Sequence, residues 1–108
     1  MPMLEGSIGM VLKHVFCFDV PAEKMGSFIK WCTETSKPFF ERYPEVKSYD
    51  VYQTMVGKPA FVKEVVYEDL KAFCSMWQKA TDPEVQKVMG EFFSFVLNLE
   101  SKLVMEIV

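Results

Sequence analysis

The sequence predicts an α+β domain whose elements follow one another as β-α-β-β-α-β, with a four-stranded antiparallel sheet that carries both helices on one face. The central observation is a pair of stretches rich in Val, Tyr, Phe and Thr within residues 46–69, which is typical of two paired strands. Gly57-Lys58-Pro59 separates them, because glycine accepts a positive φ and proline interrupts strand pairing. On either side of this hairpin, apolar residues recur with the period of a strand or of a helix, and these patterns predict the remaining strands and helices.

The first strand is expected over residues 10–19, MVLKHVFCFD, where both alternating faces are mostly apolar. Such a strand lies in the centre of a sheet that is covered on both sides. An amphipathic helix follows from about Pro21 to Tyr43. Pro38 cannot donate a backbone hydrogen bond to this helix, so we expect a kink or a restart near Ser36.

The two arms of the hairpin predict strands near residues 46–56 and 60–68. A second helix is expected to bury an apolar stripe formed by Leu70, Phe73, Cys74 and Trp77. Asp82-Pro83 then signals a fresh helix start, with Asp82 as the cap. Alternation near the end of the chain predicts a last strand near residues 100–107.

The length, charge and cysteine content of the chain limit the kinds of protein that it can be. A chain of 108 residues fits a single domain, expected over residues 10–108, with residues 1–9 as a flexible N-terminal extension. The formal net charge of −3 argues against nucleic acid as a partner, because phosphate binding needs a basic surface. No apolar run approaches the roughly 20 residues that span a membrane. Three cysteines without a close pair favour free thiols and a cytoplasmic location.

The predicted order is that of the ferredoxin-like split βαβ unit, and several turn sequences resemble the dimeric α/β-barrel superfamily. The matching segments are YPEV before the second strand, YEDLKAF at the second helix and TDPEVQ at its restart. This superfamily includes antibiotic-biosynthesis monooxygenases, EthD-like proteins, muconolactone-isomerase-like proteins and stress-responsive A/B barrels. The first strand, with Lys13-His14-Val15-Phe16-Cys17-Phe18, is similar to the Lys-His-x-x-x-Phe strand of the stress-responsive barrels.

The resemblance implies a homodimer that packs through the helix-free face of the sheet, and the apolar residues expected there, including Val15, agree with it. It also implies a cofactor-independent enzyme of the monooxygenase, cyclase or isomerase type, with no cofactor and no metal. The chain departs from two groups of relatives. The cyclases use a second histidine near the second helix and the haem-degrading members need a helix histidine, whereas His14 is the single histidine here.

His14 is the candidate catalytic residue, because imidazole is the side chain whose ordinary pKa lies near neutrality. Strand parity places it with Phe16 and Phe18, on the face that the helices are expected to cover. Two interpretations remain open for this position. His14 either serves as a general acid or base in a ligand cavity with a tyrosine hydroxyl in reach, or it is a hydrogen-bonded residue of a filled core.

Aromatic side chains are the candidates for ligand binding, and they are Tyr49, Tyr52, Tyr67, Trp31 and Phe16. Tyrosines on strands serve equally well in packing, so these assignments depend on a cavity being present. Two functions follow. The first is a small enzyme that acts on an aromatic or polyketide-like compound without a bound cofactor. The second is a non-catalytic homodimer that binds a small apolar molecule or serves as an interaction module, with His14 in its core.

Overall fold

The computed structural model describes residues 10–107 of the chain. The flexible extension expected over residues 1–9 lies outside this range, as does Val108. The strands are β1 (Leu12–Asp19), β2 (Val46–Gln53), β3 (Phe61–Tyr67) and β4 (Leu97–Met105). The α-helices are α1 (Met25–Trp31), α2 (Lys37–Glu41), α3 (Leu70–Gln78) and α4 (Pro83–Phe95). Shorter helical turns are Ala22–Lys24 before α1, Cys32–Ser36 between α1 and α2, and Lys79–Thr81 between α3 and α4.

Within residues 10–107 the strands form one antiparallel sheet in the order β2-β3-β1-β4. The central pair is β1 and β3, in which His14 stands opposite Val65 and Phe16 stands opposite Lys63. The α-helices all pack on the same face of this sheet, which is the face that carries these four residues. The architecture is ferredoxin-like and confirms the predicted α+β class.

Two strand ends differ by three residues from the sequence-based expectation, and the other ends differ by less. β2 ends at Gln53 and not near residue 56, because the chain turns through Gly57, whose φ is 97°. β4 begins at Leu97 and not near residue 100, directly after α4 ends. The chain makes this abrupt change of direction with a positive φ of 55° at Asn98, a residue type that tolerates the left-handed region.

Aromatic rings fill one end of the space between sheet and helices. Phe18 is fully buried, with 0% of its surface exposed, and its ring centroid lies 5.6 Å from that of Phe28 on α1. It lies 5.1 Å from Phe92 on α4 and 5.8 Å from Phe61 on β3. The pairs with Phe28 and Phe92 are edge-to-face and the pair with Phe61 is stacked, and aromatic pairs at these separations add to the stabilisation from apolar burial. This cluster joins both halves of the chain at the Phe18 end of the sheet.

The kink expected near Ser36 takes the form of the π-helical turn Cys32–Ser36. Pro38 lacks a backbone N–H, so the preceding turn cannot keep a regular α-helical hydrogen-bond ladder. The turn carries Ser36 into the core, where its hydroxyl is hydrogen-bonded to the hydroxyl of Tyr49 on β2. The irregular turn therefore gives a buried tyrosine its polar partner.

The expected core position of Trp77 is wrong, because 64% of its surface is exposed. Cys74 is also exposed, and the residue of α3 that is fully buried is Met76. The buried stripe of α3 thus runs through Ala72, Phe73 and Met76, about one position from the predicted stripe. A shift of one residue turns a helix face by about 100°, which is enough to move Trp77 to the surface.

The opposite face of the sheet carries no helix among the described residues. Its central side chains include Val15, Cys17, Val62 and Val66, which are all partly exposed. β4 lies at the edge of the sheet and is exposed along most of its length. None of the helices between residues 10 and 107 has the length and apolar character needed to cross a membrane.

The aromatic cluster predicts a large difference between two phenylalanines of similar size. Phe18→Ala should lower the free energy of unfolding by about 3–5 kcal/mol, because it removes a fully buried ring and leaves a cavity. Phe93→Ala is the matched control, since 54% of that ring is exposed, and it should cost less than about 1 kcal/mol. Urea denaturation followed by circular dichroism measures both. Equal losses of unfolding free energy in the two variants would show that the aromatic cluster does not hold the two halves of the chain together.

Candidate functional site

A cavity of about 120 Å³ lies between the sheet and the helices, at the end away from the aromatic cluster. Its sheet side is formed by residues of β1, β2 and β3, which are His14, Phe16, Tyr49, Lys63, Val65 and Tyr67. Its helix side is formed mainly by α3, α4 and the turn between them, through Phe40, Phe73, Met76, Trp77, Ala80, Val85 and Met89. Trp77, whose side chain is mostly exposed, stands at the outer edge of this space.

The cavity has the size and lining that suit a single aromatic ring. An engineered apolar cavity of about 150 Å³ in another protein binds benzene, so 120 Å³ admits a molecule of that order. Aromatic and aliphatic side chains form most of its wall, and the polar groups are few. A small apolar body with one or two polar groups is the kind of ligand that such a space accepts.

Lys63 is the most unusual polar residue of the cavity wall. Only 2% of its surface is exposed, and Nζ lies 4.1 Å from the ring centroid of Phe16 and 3.8 Å from that of Phe92. Among the described residues, no carboxylate lies within ion-pair distance of this nitrogen. Burial in apolar surroundings lowers the pKa of Lys63 to about 7. The amine therefore exists in both protonation states near neutral pH.

His14 lies in the same wall and is half-buried. Its ring centroid is 4.1 Å from that of Phe16 and 6.0 Å from that of Phe73 on α3. Burial, and secondarily the positive charge of Lys63, lowers the pKa of His14 below its ordinary value of 6.5. The imidazole is consequently neutral at pH 7 and has a nitrogen available to accept a proton.

The remaining titratable groups around the cavity are held in their neutral forms. Burial raises the pKa of Tyr49 far above its ordinary value, although its hydrogen bond with Ser36 works in the opposite direction. Burial, with the negative charge of Glu45, raises the pKa of Tyr67 to about 12. Burial also raises the pKa of the Cys32 thiol to about 11, so this cysteine stays protonated.

The structure brings together four of the six residues proposed from the sequence. His14, Phe16, Tyr49 and Tyr67 all line the cavity. Strand parity explains this, because the register aligns them on the helix-covered face of β1, β2 and β3. The Tyr49 hydroxyl is bonded to Ser36, so its polar end points to the helical turn.

The other two proposed residues lie elsewhere. Tyr52 stands opposite Val62 on the helix-free face, and 52% of its surface is exposed. Trp31 stacks on Phe28 in the aromatic core and donates a hydrogen bond of 3.1 Å from Nε1 to Glu91. Alternation along β2 turns Tyr52 away from the helices, and the position of Trp31 at the end of α1 directs its ring into the core.

Sequence reasoning did not single out Lys63, although the signal is present in β3. The segment FVKEVVY alternates strictly, so Phe61, Lys63, Val65 and Tyr67 share one face. A lysine on a face that is otherwise aromatic and aliphatic is the feature that marks the site. Within residues 10–107, no group of three or more His, Cys, Asp or Glu side chains is placed to hold a metal ion.

A scan against protein-family models gave no match, and a search of curated proteins gave none either. Solved structures do resemble the chain. The hydroxynitrile lyase from Passiflora edulis is 11% identical, with a TM-score of 0.73, and 92% of this chain and 95% of that chain are covered. A protein of unknown function from Thermobifida fusca, described as dimeric and ferredoxin-like, is 12% identical with a TM-score of 0.70 and coverage of 91% and 92%.

SnoaB from Streptomyces nogalater, described as a cofactor-independent oxygenase, is 18% identical with a TM-score of 0.66 and coverage of 89% and 92%. At these identities the likenesses show a common fold and leave the activity of this chain undetermined. The fold is the one that the resemblance to the dimeric α/β-barrel superfamily predicted, and at that level the resemblance is confirmed.

The lowered pKa of Lys63 predicts a characteristic dependence of stability on pH. Between about pH 7 and about pH 10.4 the unfolded chain binds a proton at Lys63 that the folded chain does not bind, so stability rises with pH across this window. Lys63→Met removes this contribution. The variant should therefore be more stable than the parent protein, most strongly at or below pH 7, and its advantage should shrink by about 1.4 kcal/mol per pH unit above that.

Urea denaturation of both proteins at several pH values in this window measures the effect. Lys58→Met is the matched control, because Lys58 is exposed in the hairpin loop, and its effect on stability should not change with pH in the same way. A stability difference for Lys63→Met that stays constant with pH would contradict the assignment.

Proposed function

We propose that the protein is a homodimer that binds a small aromatic molecule in the cavity and acts on it as a cofactor-independent enzyme, with His14 as the proton acceptor. The observation that carries this proposal is a neutral imidazole in the wall of an apolar cavity large enough for one ring. Because burial lowers the pKa of His14 below its ordinary value, the imidazole is in its proton-accepting form at pH 7. A non-catalytic role for the same cavity remains the alternative, and it predicts binding without turnover.

The lining explains how such a ligand would be held. Phe16, Tyr67 and Phe73 offer ring faces and edges to an aromatic body, while His14 offers a nitrogen to an acidic O–H or C–H group. Because most of the wall is apolar, a bound ligand displaces water from the imidazole. Proton transfer inside this space leaves an anion on the ligand, the step that monooxygenase, cyclase and isomerase chemistry would share. The description of SnoaB as a cofactor-independent oxygenase supports the same class of function.

Binding of a simple phenol tests the role of His14. We expect 4-fluorophenol to bind the protein in ¹⁹F NMR titrations, and His14→Gln to weaken binding severalfold, because the amide oxygen of glutamine is a weaker hydrogen-bond acceptor than an imidazole nitrogen. The melting temperature should change little, since glutamine has a similar volume and the position is half-buried. Tyr52→Phe, outside the cavity, is the control and should bind as the parent protein does. A loss of several degrees with unchanged binding would identify His14 as a core residue instead.

The helix-free face of the sheet supports the homodimer part of the proposal. Its middle row runs across the sheet as Asp50, Glu64, Val15 and Lys102, so acidic residues lie toward β2 and a basic residue lies toward β4. A two-fold axis parallel to the strands would place the acidic side of each sheet against the basic side of its partner. Valines on β1 and β3 would then form the apolar centre of the contact.

Sedimentation at micromolar concentration tests the dimer. We expect a dimer that buries more than roughly 1,200 Å² in total, and we expect Val15→Asp to dissociate it, because an unpaired carboxylate in an apolar contact is costly. Ile29→Asp is the control, since Ile29 is an exposed apolar residue on α1, away from this face. A monomeric parent protein, or equal behaviour of the two variants, would reject this interface.

A further inference from the structure

We propose that Lys63 is an amine nucleophile that forms a Schiff base with a small aromatic aldehyde or ketone bound in the cavity. The inference uses the same cavity as the proposed function and in that sense rests on it. It assigns a chemical class to the ligand, namely an aryl carbonyl compound, and it gives a role to a residue that proton transfer by His14 does not use.

The surroundings of Lys63 do not account for it as a structural residue. A buried lysine is ordinarily paired with a carboxylate, and among residues 10–107 none lies within ion-pair distance of Nζ. The nitrogen lies 3.8 Å and 4.1 Å from the ring centroids of Phe92 and Phe16, and 5.5 Å from that of Tyr49. An aliphatic side chain of similar length would fill this space at lower cost, so the amine needs a chemical explanation.

The cavity gives the amine access to a ligand. Lys63 lines the cavity together with Phe16, its direct neighbour across the β1–β3 pair. Tyr67, which is four residues further along β3 on the same face, also lines it. The aromatic ring of an aryl aldehyde would pack against Phe16, Tyr67 and Phe73, which leaves its carbonyl group directed toward the polar side chains of the sheet. A lysine in a desolvated apolar pocket is the established setting for amines that attack carbonyl carbons.

The reaction is balanced without any further reactant. The lone pair of neutral Nζ attacks the carbonyl carbon, the C=O π electrons move to oxygen, and a proton passes from nitrogen to oxygen to give a carbinolamine. The second proton on nitrogen then passes through the neutral imidazole of His14 to the hydroxyl group, which leaves as water while the nitrogen lone pair forms the C=N bond of the imine. Because the pKa of Lys63 is about 7, roughly half of the amine is in the attacking form at neutral pH. For an exposed lysine of ordinary pKa that fraction is roughly a thousandfold smaller.

The other reactive side chains near the amine are compatible with Lys63 as the nucleophile. His14 faces the same cavity and is placed to exchange the proton that the departing hydroxyl group needs. Cys32 influences the charge state of Lys63 electrostatically, but its own pKa of about 11 keeps the thiol protonated and unreactive. Lys63, and not Cys32, is therefore available at neutral pH to attack a carbonyl carbon.

Reductive trapping tests the inference. The intact protein is incubated at neutral pH with 4-fluorobenzaldehyde and sodium cyanoborohydride, and the products are examined by intact mass and peptide mapping. We expect one fluorobenzyl group per chain, located on Lys63, at a time when the exposed lysines carry almost none. Lys63→Met and Lys63→Arg should lose this label, and Lys58→Met should keep it. Label spread over surface lysines without preference for Lys63 would overturn the inference.

The same probe separates this inference from the function it rests on. Without reductant, ¹⁹F NMR reports whether 4-fluorobenzaldehyde enters the cavity, and competition with 4-fluorophenol shows that the two share one site. Binding without a trapped adduct on Lys63 would refute the Schiff base and leave the ligand-binding cavity intact. If neither 4-fluorobenzaldehyde nor 4-fluorophenol binds, both the Schiff base and the ligand-binding role of the cavity are refuted. If Lys63→Met fails to fold, the mapped position of the label in the parent protein still decides the question.

Discussion

Lys63 is buried with no carboxylate of residues 10–107 within ion-pair distance, and the chemistry proposed for this protein depends on that constraint. The alternation of β3 directs this side chain to the helix-covered face, where aromatic rings surround its nitrogen. A protonated amine is costly in that position, so the pKa falls toward neutrality. The same charge helps to keep the nearby imidazole of His14 neutral. At neutral pH the cavity wall therefore contains a partly deprotonated amine and a neutral imidazole.

The surroundings of Lys63 arise because the two ends of the helix-covered sheet face are packed differently. At one end Phe18 packs against its aromatic neighbours between the sheet and the helices and is fully buried. At the other end the helices leave a cavity of about 120 Å³. The filled end supplies stability from apolar burial, which lets the open end tolerate polar groups and unfilled volume. The π-helical turn contributes by giving Tyr49 a partner and leaving its ring in the wall.

Much of this could be predicted from the sequence, because it depends on periodicity alone. Alternation in β1 placed His14 on the helix-covered face, and the turn at Gly57 located the hairpin. Other features depend on three-dimensional packing. The exposure of Trp77 follows from a rotation of α3 by about one residue, and the place of Trp31 follows from its contacts with Phe28 and Glu91. Lysine is ordinarily a surface residue. Lys63 is recognised as part of the site when its neighbours in the fold are known.

The most direct test of this account is the titration of Lys63 itself. The chain is labelled with ¹³Cε-lysine, and the lysine resonances are followed by NMR from acidic to alkaline pH, with Lys63→Met assigning the signal that disappears. We expect this resonance to titrate with a pKa of about 7, far below the ordinary lysine value of about 10.4. A Lys63 resonance that titrates near the ordinary lysine value would contradict this assignment, because the amine would then be fully protonated at neutral pH.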